Sequence, residues 1–250
     1  MDLELQGKTA IVTGGTRGIG KGIVLALARA GVHVATCYRT EGEAVDNLAA
    51  ELKEIGTPFL LARADVSVEA EVRDFVEACG REFGGSLDLL VHNAGTISHV
   101  PFGELTLDEW HSVLNTSLTA AYLLVKLSLP LLSSGSSVVT IGSRVATVGI
   151  PQRAHYTAAK SGLIGLNRSL AKELGPRGIR CNVIAPGLIE TEAAAKFSPE
   201  ERKVYEQRYR ALISLGKFGR PADIARVVLF LASDLSAYVH GETINVDGGI

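Results

Sequence analysis

Cysteine is scarce in this chain: three in 250 residues, Cys37, Cys79 and Cys181, all far apart. Such spacing excludes a disulfide framework and a zinc knuckle, and no cluster of His, Cys and carboxylates suggests any metal. The thiols read as small apolar fillers in a reducing compartment, which points to the cytoplasm. Dense basic runs are also missing, and the net charge is −2, so nucleic acid is not an expected partner. No apolar run approaches the length of a membrane span, and "MDLELQGKTAIV" has neither the charged nor the apolar region of a signal peptide. Repeats, low-complexity tracts and linkers are absent too. The expectation is one domain over residues 1–250.

What the chain does have is an ordinary globular balance, 46% hydrophobic and 21% charged, and enough length to bury most of its apolar surface. Short β-branched runs alternate with helical patterns throughout. "TAIVTG", "VHVATCY", "PFLLAR", "LDLLVH", "SSVVTIG", "IRCNVIA" and "TINVDG" are the strand candidates. Their nearly continuous apolar character suits strands buried on both faces. Between them, Ile19, Ile23, Ala26, Leu27 and Ala30 keep helical spacing. So do Val45, Leu48, Leu52 and Ile55, and then Val68, Val72, Phe75, Val76 and Cys79. This alternation predicts an α/β fold, a single-domain, Rossmann-like, doubly wound parallel sheet of seven strands with helices on both faces. Ligands on such sheets bind at the carboxyl ends of the strands, near the reversal of strand order. One long stretch, residues 187 to 219, departs from alternation. "SPEE" within it reads as a helix start, with Ser198 as N-cap, Pro199 in the first turn and Glu201 closing a capping box. A helical lid over about 188–219 is the expectation.

"TAIVTGGTRGIG" places Gly14, Gly18 and Gly20 between a strand and a helix start. Glycines there allow a tight turn and close backbone approach, and the helix N-terminus favours a pyrophosphate. The second strand ends in "CYRTEG", with Tyr38 and Arg39 where an acid would select a free ribose hydroxyl. Arg39 and Arg17 converging on one spot favour the 2′-phosphate of NADP(H) over NAD. Downstream, "AHYTAAKSG" sets Tyr156 four residues before Lys160, one helical turn apart on one face. An ammonium held there is expected to lower the phenol's pKa. His155 adjoins Tyr156 but points about 100° away, so it is left out of the chemistry.

Together these pieces resemble the short-chain dehydrogenase/reductase superfamily along essentially the whole chain. The matching motifs are "TGGTRGIG" at 13–20, "ADV" at 64–66, "NAG" at 93–95, Ser143, "YTAAK" at 156–160, "APGLIET" at 185–191 and the terminal "NVDGG". The resemblance implies Tyr156 as general acid, Lys160 as the group that favours the phenolate and holds the nicotinamide ribose, and Ser143 as hydrogen-bond donor to the substrate carbonyl. It also implies cofactor contacts from the glycine-rich loop (Gly14, Thr16, Arg17, Gly18, Ile19, Gly20), from Tyr38 and Arg39, and from Asp65 and Val66 around adenine. Asn93, Ala94 and Gly95 would line the cofactor's middle, with Pro186, Gly187, Ile189 and Thr191 at its nicotinamide end. Two departures stand out. The family's fourth catalytic member is an asparagine whose main-chain carbonyl helps hold a water linking the lysine to solvent. Aligning "EWHSVLNTSLTAAYLL" puts Ser117 there, and Asn115 lies roughly 200° around the helix from it. A serine keeps the carbonyl, so a relay in altered form is expected. The second is His92 in "HNAG", read as a satisfied structural histidine at a strand end. Arg144 and Arg153 read as solvated, and Trp110, Tyr205 and Tyr209 as core or lid packing.

The reaction expected is NADPH-dependent reduction of a ketone. Reductases of 3-oxoacyl carrier proteins usually carry basic residues between the long helix and the fifth strand. "PLLSSGSSVVTIGS" has none, and Arg177 leaves half a docking patch at best. "HNAGTISHVPF" and "IGSRVATVGIPQRAHYTAAK" look most like stand-alone ketoreductases of aromatic, angucyclinone-type polyketides in antibiotic biosynthesis. A 3-oxoacyl carrier-protein reductase is the alternative, and a dinucleotide-binding protein without catalysis is the alternative of another class. The family commonly forms tetramers, so a homotetramer acting on a small-molecule ketone is expected.

Overall fold

The seven β-branched runs form seven strands in a computed structural model that describes residues 3–192 and 198–250. In chain order the elements are β1 (Thr9–Thr13), α1 (Gly18–Arg29), β2 (His33–Tyr38), α2 (Glu43–Ile55), β3 (Phe59–Arg63), α3 (Glu69–Glu82) and β4 (Leu87–His92). Then come α4 (Leu107–Leu114), a π-helical turn (Asn115–Thr119), α5 (Ala120–Ser128), β5 (Leu132–Ile141), α6 (Val145–Val148) and α7 (Ala154–Leu174). The chain continues through β6 (Arg180–Pro186), α8 (Pro199–Arg210), α9 (Pro221–Ala232) and β7 (Thr243–Val246). Every strand pairing is parallel, in the order β3-β2-β1-β4-β5-β6-β7.

Alternation along β1 shows how the layers arise. Ala10 and Val12 face one core, with Ile23 and Leu27 of α1, Leu48 and Leu52 of α2, and Ile224 and Leu231 of α9. Ile11 faces the other, with Phe75 and Val76 of α3, Leu124 of α5 and Leu174 of α7. Successive strand side chains point to opposite faces, so one run feeds both layers. Each buried Leu or Ile contributes about 1.5–3 kcal/mol. One residue leaves the predicted pattern: Val68 is the N-cap of α3 and is 41% exposed, because Ser67 and Asp65 turn the chain before the helix begins.

Strand order reverses between β1 and β4, so the loops leaving their carboxyl ends diverge and open a crevice. The Asn93 amide bridges that point, donating to Thr13 O at 2.9 Å and Gly14 O at 3.1 Å. Beyond β6, the Ser198 capping box forms as expected: the Ser198 hydroxyl accepts from Glu201 N at 3.2 Å, and Ser198 N donates to Glu201 Oε2 at 2.8 Å. Of the predicted lid, residues 193–197 lie outside the described residues.

Candidate active site

The crevice holds a cavity of about 550 Å³ running from Arg39 to Thr191. Its floor is backbone, and the glycines explain why. A Cβ on Gly20 would stand 2.2 Å from Gly14 O, and Gly14 itself has φ +68°. No side chain fits where α1 meets the loop, so the helix N-terminus stays open to a phosphate. Gly14, Arg17, Ile19, Gly20, Tyr38, Arg39, Asp65, Val66, Asn93, Ala94, Gly95 and Thr191 line this cavity. Cys37, Ala64, Thr96, Ile97 and Thr116 join them without having been named as cofactor contacts from the sequence, because strand ends, the loop after β4 and the π-helical turn carry them there. Thr16 is not among these lining residues and is half-buried. Gly18 is not among them either, and its N–H donates to Glu192 Oε2 at 3.0 Å. Arg17 and Arg39 are both exposed. Burial works to raise the Asp65 pKa, but hydrogen bonds from the Ser67 hydroxyl and N–H and the charge of Arg39 outweigh it and hold the carboxyl below its usual range. This donor set suits a dinucleotide with an extra phosphate: an open helix terminus and two guanidinium groups line one cavity.

A second cavity of about 360 Å³ continues past Asn93 and Gly95, and here Ser143, Tyr156 and Lys160 come together with Pro186, Gly187, Ile189 and Thr191. Tyr156 and Lys160 sit in α7, one turn apart, with Lys160 Nζ 5.7 Å from the phenol ring centre. The ammonium is 4% exposed and donates to Ile141 O at 2.8 Å, which ties α7 to the end of β5. Burial pushes the Lys160 pKa down to about 8. Burial also raises the Tyr156 phenol above its ordinary value, outweighing the Ser143 hydrogen bond and the Arg153 charge that pull it down. The expected lowering of the phenol by Lys160 is therefore corrected. In this arrangement desolvation wins, and the phenol keeps its proton at neutral pH.

Ser117 and Asn115 differ in surroundings. Ser117 is fully buried in the π-helical turn, while Asn115 is exposed and pairs with Thr119. The inserted residue of a π turn redirects side chains, and such turns recur at functional sites. Ser117 O accepts from His92 Nε2 at 2.7 Å. His155 is buried and pairs with Ser98 at 2.7 Å, away from the Tyr156 hydroxyl.

A third cavity, about 340 Å³, adjoins the second through Ile189, Thr191 and Tyr205. Tyr205 stacks on Phe218 at 5.7 Å and packs against Tyr209 at 4.6 Å. Arg153, read from sequence as solvated, is half-buried at this cavity and donates from Nε to His99 Nε2 at 2.9 Å. Arg144 likewise is not simply solvated; it pairs with Asp247 at 3.2 Å. Trp110 is half-buried in α4 and lines none of these three cavities. Arg177 donates to the carbonyls of Leu129 and Leu132, each at 3.1 Å. All three thiols are buried, and no group of three or more potential metal ligands occurs among the described residues. Among them, too, no helix is long and apolar enough to cross a membrane.

Comparison with known proteins agrees with this geometry. Residues 14–250 match the family model described as Enoyl-(Acyl carrier protein) reductase. The 3-oxoacyl-(acyl-carrier-protein) reductase FabG of Aquifex aeolicus is 38% identical over 253 residues, covering 100% of both chains. A dehydrogenase/reductase from Sinorhizobium meliloti superposes with a TM-score of 0.92 at 32% identity, over 99% of this chain and 96% of that one. A blue fluorescent protein from a metagenomic library, solved with NADPH, gives 0.90 at 36% identity over 98% of each chain. With the tyrosine, lysine and serine gathered at the end of a glycine-floored crevice, and with these relatives at full length, the chain belongs to the short-chain dehydrogenase/reductase superfamily.

Proposed function

We propose that this chain reduces a ketone to a secondary alcohol with NADPH, and that the ketone is the 3-oxo group of a carrier-bound acyl chain. One observation carries the reaction class: Ser143, Tyr156 and Lys160 converge on one cavity while burial keeps the phenol protonated. A reductase needs its general acid loaded, and this one is. NADPH, when bound, supplies the hydride to the carbonyl carbon. The Tyr156 hydroxyl gives its proton to the carbonyl oxygen, and the Ser143 hydroxyl steadies the charge building there. Lys160, anchored on Ile141 O, balances the phenolate that remains. Arg17 and Arg39, which both line the cavity, would hold the 2′-phosphate, and no acid stands after β2 to repel it. The 3-oxoacyl substrate is favoured by the names of the curated relatives, carrier-protein reductases at 36–38% identity.

A specific observation favours a second substrate, a polycyclic aromatic ketone of the polyketide type made in antibiotic biosynthesis. The wall of Tyr205, Tyr209 and Phe218 beside the catalytic cavity offers flat stacking surfaces. Arg177, which leaves half a docking patch at best, is spent on main-chain carbonyls. Assay of acetoacetyl-carrier protein beside a polycyclic aromatic ketone, with NADPH oxidation as readout, decides between them. Turnover of the thioester alone supports the first substrate, and turnover of the polycycle alone supports the second. Reduction of a crotonyl thioester in place of either would overturn the ketone assignment. Loss of turnover in Tyr156→Phe, by about 10²–10⁴, excludes a purely binding role. The protein works in the cytoplasm as a homotetramer, with the half-covered β7 edge and the exposed Tyr238 beside it in the subunit contact. Sedimentation as a monomer at micromolar concentration would contradict that assembly.

A further inference from the structure

We infer that His92 is a positioning residue for proton transfer: from the end of β4 its ring grips the Ser117 carbonyl and sets the π-helical turn against Lys160. The imidazole is 1% exposed, and Nε2 lies 2.7 Å from Ser117 O. A carbonyl only accepts, so Nε2 carries the proton. Nδ1 faces Thr13 Oγ1 at 3.5 Å. That hydroxyl already accepts from Asn93 N at 3.1 Å and Ala94 N at 3.0 Å, which leaves its own proton to point at the ring. Both ring nitrogens thus agree on one neutral tautomer. Protonation at Nδ1 would set a second cation beside Lys160. Burial first, and then the Lys160 charge, push the His92 pKa down to about 3, so the ring stays neutral at working pH.

The gripped turn borders the catalytic lysine. Ser117 Oγ is buried with no partner among the protein atoms. A Cβ built on Gly95 would lie 3.2 Å from that hydroxyl and 3.6 Å from Lys160 Nζ. The serine hydroxyl and the lysine ammonium therefore converge over the bare Cα of Gly95. A π turn interrupts the regular helical ladder, so a donor from outside the helix can help hold one of its carbonyls in place. His92 is that donor. Its loss lets the turn drift and misplaces the charge that balances the Tyr156 phenolate, while the groove that holds the dinucleotide keeps its floor.

The test compares His92→Leu with His92→Gln, whose side-chain amide restores an N–H near the Nε2 position. His92→Leu should lower kcat about tenfold with KM for NADPH within twofold, since small misplacements act on the chemical step. His92→Gln should recover most of the loss. Wild-type kcat in His92→Leu would overturn the inference, as would a raised KM for NADPH with kcat intact in both variants. Should the leucine variant fail to fold, ¹⁵N NMR of the histidine-labelled wild-type protein decides. A neutral, Nε2-protonated ring from pH 5 to 9 supports the role, and an Nδ1-protonated or cationic ring refutes it.

Discussion

Replacing Lys160 by methionine should remove activity and stabilise the fold. The ammonium is 4% exposed, and burial brings its pKa from 10.5 to about 8. That difference corresponds to ~3 kcal/mol of native-state cost at pH 7, at 1.36 kcal/mol per pKa unit. Against it stands the hydrogen bond to Ile141 O at 2.8 Å, whose loss strands a buried acceptor at a cost of about 1–3 kcal/mol. Methionine has similar length and no charge, so the net gain is about 0–2 kcal/mol, or at most about 4–8 °C in the midpoint of a chain this size. The gain depends on pH in a fixed direction. Below pH 8 both folded and unfolded wild-type chains carry the proton, and the burial cost is full. Between about 8 and 10.5 the unfolded chain binds more protons than the folded one, so wild-type stability rises with pH. The variant's advantage must shrink across that window. Urea melts of both proteins without cofactor, at equal concentration and at pH 7, 8.5 and 10, give the comparison. A variant less stable than wild type at pH 7, or an advantage that does not shrink with pH, would refute the electrostatic account of this lysine.

Other expectations follow from the same geometry. Arg39→Asp should raise KM for NADPH at least about tenfold while improving NADH, because a charge-assisted phosphate contact becomes a repulsion; steady-state kinetics with both cofactors reads this out. Gly20→Ala should abolish dinucleotide binding by calorimetry and cost about 1–3 kcal/mol in a urea melt, since the new methyl would sit 2.2 Å from Gly14 O. The thiols of Cys37, Cys79 and Cys181 are pushed up by burial to about 11, 12 and 12, so a disulfide reagent at pH 8 should label none in the native protein and all three in urea.

Features that depend on sequence period were legible without coordinates. All seven strands and the faces of α1 and α2 follow from which residues must leave water. The gathering of Tyr156, Lys160 and Ser143 was legible because one turn of α7 joins the first two, and Ser143 lies two residues after β5. Ser117 was placed by alignment, but the π turn that buries it has no periodic signature, so its tie to His92, 25 residues away, was hidden. The third cavity escaped for the same reason. Tyr205 and Phe218 are 13 positions apart, and only the path of the chain after β6 stacks them. The Tyr156 shift was misjudged because a pairwise argument counts the neighbouring charge and omits the desolvation that only a closed structure supplies.

The crevice between β1 and β4 has walls that come from loops as distant in the chain as Gly14 and Thr191. A dinucleotide lying there acts as a clasp across the carboxyl edge of the sheet, fastening segments that local folding leaves separate. Occupancy at a hundred times the dissociation constant adds about 2.7 kcal/mol against global opening. The empty protein is thus the form exposed to proteases, and its lifetime should track the coenzyme supply around it.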